Sequence, residues 1–206
     1  MSITTDAQPS PEASAQPADA RDRADMEKLQ AGHDAALNDL MERHASPVFH
    51  FLCRMVGNED DANDLAQETF VRVFKSRASF RAEQKFSSWM FTIAANLARN
   101  HFRWRARHPN VSLDAENPET KQTLGSTLPG NSPMPGEEVL ATERARAVRV
   151  AVKQLPEDLR EAIVLCEWEE RSVAEAATIL EATPKAVESR LYRARQVLRE
   201  RLKSWL

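Results

Sequence analysis

At 206 residues, with 42% hydrophobic and 29% charged side chains, the chain has room for one or two small domains with real cores. Leu, Ala, Arg and Glu dominate, glycines number only 5, and β-branched runs are scarce, so the expected class is all-α. A formal net charge of −3 excludes a uniformly basic nucleic-acid coat, and any DNA binding must rest on charge concentrated locally.

No apolar run approaches the roughly 20 residues that span a bilayer, so no direct membrane insertion is expected. The N-terminus lacks the basic start and apolar core of a secretory signal, and a soluble cytoplasmic protein is expected. Cys53 and Cys166 lie far apart in helical-looking stretches and read as free thiols. His50 and Cys53 are suitably offset for a metal, but two ligands make no site, so no metal and no cofactor are expected. No acid/base pair, nucleophile constellation or phosphate loop points to an enzyme or a small-molecule substrate.

In chain order, residues 1–24 are rich in Ala, Ser, Pro and Asp and read as a disordered tail. Residues 25–108 form a dense helical block. Within it, residues 60–74 make an amphipathic helix with Ala66, Phe70, Val73 and Phe74 toward a core. Asp61, Asp64 and Glu68 line its other side, with Leu65 among them. That leucine is either an isolated exposed residue or a docking spot for a basic partner. Further on, Phe86, Met90, Ile93 and Leu97 share one helical face, while Ser88, Thr92, Asn96, Arg99 and Arg103 share another. A basic stripe beside aromatics can hold an opened strand. It is equally the pattern of a core helix with snorkelling arginines. Phe91 and Phe102 are expected in the core.

Residues 109–138 hold Pro109, Pro118, Pro129, Pro133 and Pro135 and an excess of acids, and read as an acidic flexible linker. From 139 to 206 the helical pattern resumes. Pro156 breaks the chain and opens a helix over 157–169. Ser172 and Glu175 form a capping box for the next helix, which buries Ala176, Ile179 and Leu180. After a short turn at Glu181 and Ala182, Thr183 is an N-cap and Pro184 the first helical position of the last helix. Two short capped helices on a tight turn match a helix-turn-helix. In the last helix Val187, Leu191, Ala194, Leu198 and Leu202 form one stripe. Lys185, Ser189, Tyr192, Arg193 and Gln196 fall opposite, and these are types that reach base edges and phosphates. The alternative is a solvated face on an ordinary bundle helix.

The stretches LPEDLREAIVL, SVAEAATIL and SRLYRARQVLRERL together resemble region 4 of the extracytoplasmic-function (ECF) sigma factors, a subfamily of the sigma-70 family. DLAQETFVRVFKS resembles region 2.2, and the tract from Ser79 to His108 resembles regions 2.3 and 2.4. The resemblance covers about residues 25 to 206 and implies two small helical domains on a linker. It implies that the protein binds core RNA polymerase at the β′ clamp helices and the β flap. It implies promoter DNA as the second partner and an anti-sigma factor as a third.

By motif position the resemblance assigns polymerase contacts to Asp64, Leu65, Gln67 and Glu68, on the acidic face that Asp61 shares. It assigns the −10 element to Lys85, Phe86, Trp89, Asn96, Arg99 and Arg103, with residues 80–85 as a pocket-forming loop for a flipped base. It assigns the −35 element to Arg190 together with the face from Lys185 to Gln196. Two departures from the family stand out: Glu181 where glycine is usual, and Glu188 where Lys or Arg is common. The competing readings are a free-standing helix-turn-helix regulator and a helical interaction protein that protects no DNA.

Overall fold

The computed structural model describes residues 18–108 and 135–205, with side chains from 143 in the second stretch. Eight α-helices appear in these residues: α1 Ala18–Gln30, α2 Ala36–Val56, α3 Glu59–Lys75, α4 Phe86–Arg107, α5 Pro135–Lys153, α6 Glu157–Ile163, α7 Val173–Ile179 and α8 Pro184–Arg201. A single 3-10 turn, Arg77–Ser79, follows α3, and a π-helical turn, Val164–Trp168, extends α6. The helix expected over 157–169 is therefore α only in its first half.

Helices α1 to α4 form the first domain. Asn58 caps α3, accepting from the Asp61 amide at 2.9 Å, and Glu59, Asp60 and Asp61 load the first turn with the charge its dipole favours. Gly57 ends α2 in the left-handed region at φ 71°, its amide bonding the Cys53 carbonyl. Phe51 of α2 meets Phe91 of α4 edge-to-face, with ring centroids 5.3 Å apart and both side chains fully buried. Burial of each such ring contributes about 1.5–3 kcal/mol. Phe91→Ala would open a cavity costing about 3–5 kcal/mol.

Of the tail expected over 1–24, residues 18–24 are helical, because α1 begins at Ala18; residues 1–17 lie outside the described residues. The buried stripe of α1 is Asp22, Asp25, Met26 and Leu29, a helical repeat in which two members are acids. Those acids are held from α2. Arg43 Nε donates to Asp22 at 2.9 Å and Nη2 to Asp25 at 2.6 Å, while His44 Nε2 lies 2.8 Å from Asp22. Burial opposes ionisation of Asp22, but the bonds from His44 and Arg43 outweigh it and hold the carboxyl below its ordinary range.

Similarly, α5 begins at Pro135, so residues 135–138 of the expected linker are helical; 109–134 lie outside the described residues. Helices α5 to α8 form the second domain, and it folds back on the first: α5 lies on α2 and α7 on α4. Arg160, buried, is the main stitch. It donates to the carbonyls of Met55 (2.5 Å), Lys153 (2.5 Å) and Leu155 (2.9 Å). Met55 and Lys153 stand in the last turns of α2 and α5, whose carbonyls have no partner within the helix. One guanidinium thus closes two helix ends, and it also sits over the Phe102 ring at 5.3 Å. Phe91 is core as expected, whereas Phe102 is half-buried under this cation.

Candidate nucleic-acid and polymerase interfaces

The helix-turn-helix is built from α7 and α8. Ser172 Oγ accepts from the Glu175 amide and Glu175 returns a bond to the Ser172 amide, completing the capping box. The turn is a full Schellman closure, with Ala182 N–H on the Ala177 carbonyl and Glu181 N–H on the Thr178 carbonyl. Glu181 itself takes the left-handed conformation, φ 51°, that the turn requires. The turn therefore does not avoid that conformation for want of glycine; it imposes it on a glutamate. Thr183 then caps α8, accepting from Ala186 N–H at 3.2 Å.

Val187, Leu191 and Ala194 are buried, while Leu198 and Leu202 close the stripe half-buried. Lys185, Ser189, Tyr192, Arg193 and Gln196 are exposed together on the opposite face, Tyr192 at 65%. Glu188 is exposed beside them. Arg190 is half-buried, its Nε 3.8 Å from Asp158, and Arg193 Nη2 lies 3.9 Å from the same carboxylate. Asp158, at the start of α6, went unnoticed in the sequence, and nothing local signals its place beneath α8.

On α3, Asp64 and Gln67 are exposed, Leu65 is half-buried, and Glu68, also half-buried, pairs with Arg72 at 2.9 Å. Asp61 stands apart from them. Its carboxylate faces the end of α4, 3.3 Å from Arg105 and 3.5 Å from His101 Nε2. Burial pushes the His101 imidazole below its ordinary range, with Asp61 opposing the shift.

The expected −10 set divides sharply. Phe86 is 2% exposed inside an aromatic cluster with Phe80, Trp89 and His44. Trp89 is half-buried against Phe80. The loop carrying Phe80 is fixed by Gln30 of α1, whose amide donates to the carbonyls of Arg77 (2.8 Å) and Phe80 (3.0 Å). Lys85 pairs with Glu175 of α7 at 2.9 Å. Arg99 is gripped by Glu161 of α6 and also donates to Asn96 at 2.9 Å. Burial pushes the Glu161 carboxyl up, although Arg99 pulls it down. Arg103 is exposed and, among the described residues, bonds only within its own helix. In this closed arrangement, carboxylates of the second domain cover two cations of the α4 face expected to meet DNA.

Comparison with known proteins accounts for both halves of this layout. The Sigma-70 region 2 family matches residues 40–108, and the Sigma-70 region 4 family matches residues 145–198. The ECF RNA polymerase sigma-E factor of Haemophilus influenzae is 35% identical over 182 residues, covering 88% of this chain and 95% of that protein. The ECF RNA polymerase sigma factor SigW of Bacillus subtilis is 31% identical over 179 residues, covering 86% and 95%. Among solved structures, CnrH in complex with the cytosolic domain of CnrY superposes with a TM-score of 0.66 at 26% identity, over 89% of this chain and 98% of that one.

The chain belongs to the ECF sigma factors of the sigma-70 family. It is an alternative sigma factor, a transcription-initiation subunit that joins core RNA polymerase and directs it to promoter DNA. No helix among the described residues is long and apolar enough to cross a membrane.

Proposed function

We propose that α8 reads the −35 element through Lys185, Ser189, Arg190, Tyr192, Arg193 and Gln196. On this reading α4 captures the −10 element through Trp89, Asn96, Arg103 and, once the domains separate, Lys85 and Arg99. Phe86 serves by packing the helix start rather than by touching DNA. Asp64, Leu65, Gln67 and Glu68 dock on the polymerase β′ clamp helices, with Asp61 holding the end of α4 in place. The observation that carries the reading is the pair of separate polar faces, one on each domain. The face on α8 is open, and the one on α4 is partly covered by Glu161 and Glu175.

The protein supplies specificity and strand capture and does no bond chemistry of its own. It works in the cytoplasm, where the polymerase is. An anti-sigma factor is its further partner. CnrH is solved in complex with the cytosolic domain of CnrY, and an equivalent protein would bind this chain. A free-standing regulator would need only α7 and α8 and leaves the first domain without a purpose.

Run-off transcription with core polymerase on genomic DNA tests the reading, paired with gel filtration of Glu68→Lys. The wild type is expected to co-elute with core and yield discrete transcripts, and Glu68→Lys to elute alone with its fold intact. Normal assembly of Glu68→Lys would remove α3 as the docking surface.

A further inference from the structure

Among the described residues, one carboxylate from outside α8 comes within ion-pairing reach of its proposed −35 face. It is Asp158, in the first turn of α6, whose Oδ2 lies 3.8 Å from Arg190 Nε and 3.9 Å from Arg193 Nη2. Asp158 is rigidly mounted. Leu155 and Leu159 near it are buried, Arg160 bonds the Met55, Lys153 and Leu155 carbonyls, and α6 packs against α8. Arg193 is held from a second side, because its Nε donates to the Ser189 carbonyl one turn back at 3.4 Å. Arg195, on the same helix, shows what a tighter hold does. Glu167 accepts from its Nε at 3.1 Å and its Nη2 at 2.6 Å, and so occupies that edge of the guanidinium. Asp158 sits beyond hydrogen-bond length from both of its arginines, so it supplies charge while leaving their N–H donors available. The Arg193 side chain stays 57% exposed, and that of Arg190 26%.

We infer that Asp158 is a positioning residue for −35 readout, a shared counter-charge that turns Arg193 toward a guanine edge and away from phosphate. A guanidinium without a counter-charge binds any phosphate, and that attraction carries no sequence information. A carboxylate close to it cancels much of this attraction. A guanine edge loses less, because it is met by two directed N–H bonds rather than by net charge. Discrimination then comes from weakening the wrong contact as well as from making the right one. The sharing also matters. One carboxylate between two arginines a turn apart ties their positions together, so the pair meets the duplex as a unit held from α6. Exposed ion pairs of this kind add little to stability. The effect of Asp158 therefore falls on selectivity and leaves the fold alone.

The inference rests on α8 being the −35 reader, and the test separates the two. Holoenzyme carrying Asp158→Asn, Asp158→Glu or Arg193→Ala is compared with wild type on a promoter fragment from the run-off screen. Binding is measured to that fragment and to one with its −35 base pairs replaced, over a range of salt concentrations. Asp158→Asn is expected to lower the preference for the native −35 about tenfold, the scale of one bidentate arginine–guanine pair. Most of that change should come from tighter binding to the replaced fragment. Its salt dependence there should steepen by about one, as one further cation meets phosphate. Asp158→Glu should keep both quantities near wild type, and thermal stability should be the same in all three chains with residue 158 as Asp, Asn or Glu. If Arg193→Ala loses the preference and Asp158→Asn keeps it, the role of Asp158 is wrong and the −35 reading survives. Tighter binding of Asp158→Asn to both fragments by one factor would reduce Asp158 to bulk charge and overturn the positioning role. A preference lost together with thermal stability, in Asp158→Glu as well, would make Asp158 a fold residue instead. If Arg193→Ala keeps the preference, Arg193 reads no base and the inference falls with that part of the reading.

Discussion

Arg99 of α4 and Glu161 of α6 form a two-pronged ion pair across the domain boundary, Nε to Oε1 at 2.6 Å and Nη2 to Oε2 at 3.1 Å. Glu161 is 4% exposed and the Arg99 side chain 24%, so the pair is largely withdrawn from water. Removing one member of such a pair leaves a charge without its partner, at a cost of about 1.5–3 kcal/mol for a charged hydrogen bond. Glu161→Lys adds repulsion to that loss. We expect this variant to open the molecule, seen as a larger radius of gyration in small-angle scattering, with helix content unchanged. A wild-type radius would mean that Arg160 and the apolar contacts alone hold the closed form.

The helix-turn-helix carries a strain that can be relieved. Glu181 occupies the left-handed region at φ 51°. An L side chain pays about 1–2 kcal/mol for that conformation, against about 0.5–1 kcal/mol of extra chain entropy for glycine. Glu181→Gly should therefore stabilise the protein by about 0.5–1 kcal/mol, which for a chain of this size raises the Tm by about 1–4 °C. Calorimetry would show it. A lowered Tm would mean that the Glu181 side chain makes a compensating contribution in solution.

These two relationships mark what a linear reading can reach. The capping box at Ser172, the Thr183 cap and Pro184 were legible because each is a local device spanning three or four residues. The burial of Val187, Leu191 and Ala194 followed from period alone. Helix α1 was not legible, because half of its inward stripe is Asp22 and Asp25 and acids normally signal solvent. Their partners Arg43 and His44 stand about twenty residues away. Phe86 carries two readings: periodicity put it on the core face, and motif position assigned it to DNA. Its packing against Phe80 and His44 follows the periodicity. That Lys85 and Arg99 meet carboxylates 90 and 62 residues further on is a property of domain packing, which no local pattern encodes.

Glu175 couples the helix-turn-helix cap to the same boundary and sets a pH signature. The bond from Lys85 and those from Ser172 hold its carboxyl far down, at about 2 against an ordinary 4.5. A carboxyl with a depressed folded-state pKa adds stability that is complete above the ordinary value and drains away as pH falls toward 2. Glu175→Gln keeps a capping side chain but loses the charge. The stability gap between wild type and this variant, from urea titrations, should be full at pH 6, narrow below about 4.5, and close near 2. A gap independent of pH would show that the charge on Glu175 contributes nothing.

The last prediction concerns Arg43, which holds α1 to the first domain. Asp22 and Asp25 are 1% and 6% exposed, and Arg43 is the one side chain bonded to both. Arg43→Ala leaves two buried carboxylates with partial compensation only, Asp22 from His44 and Asp25 from Lys28 at 2.9 Å. Loss of one partner of a buried pair costs about 3–5 kcal/mol, and the remaining partners reduce this to about 2–4 kcal/mol. The loss should fall on α1 first, because its apolar contribution is Met26 and Leu29 alone. Gln30 then no longer holds the Arg77 and Phe80 carbonyls, so the loop before α4 loosens too. Hydrogen exchange is therefore expected to rise over residues 18–30 and 77–85 while α7 and α8 keep wild-type protection. Arg43→Lys should not rescue it, since a single ammonium cannot reproduce the fork that reaches both carboxylates. Exchange that rises evenly over the whole chain would instead place Arg43 in the common core, and unchanged exchange would show that the ion network holds nothing.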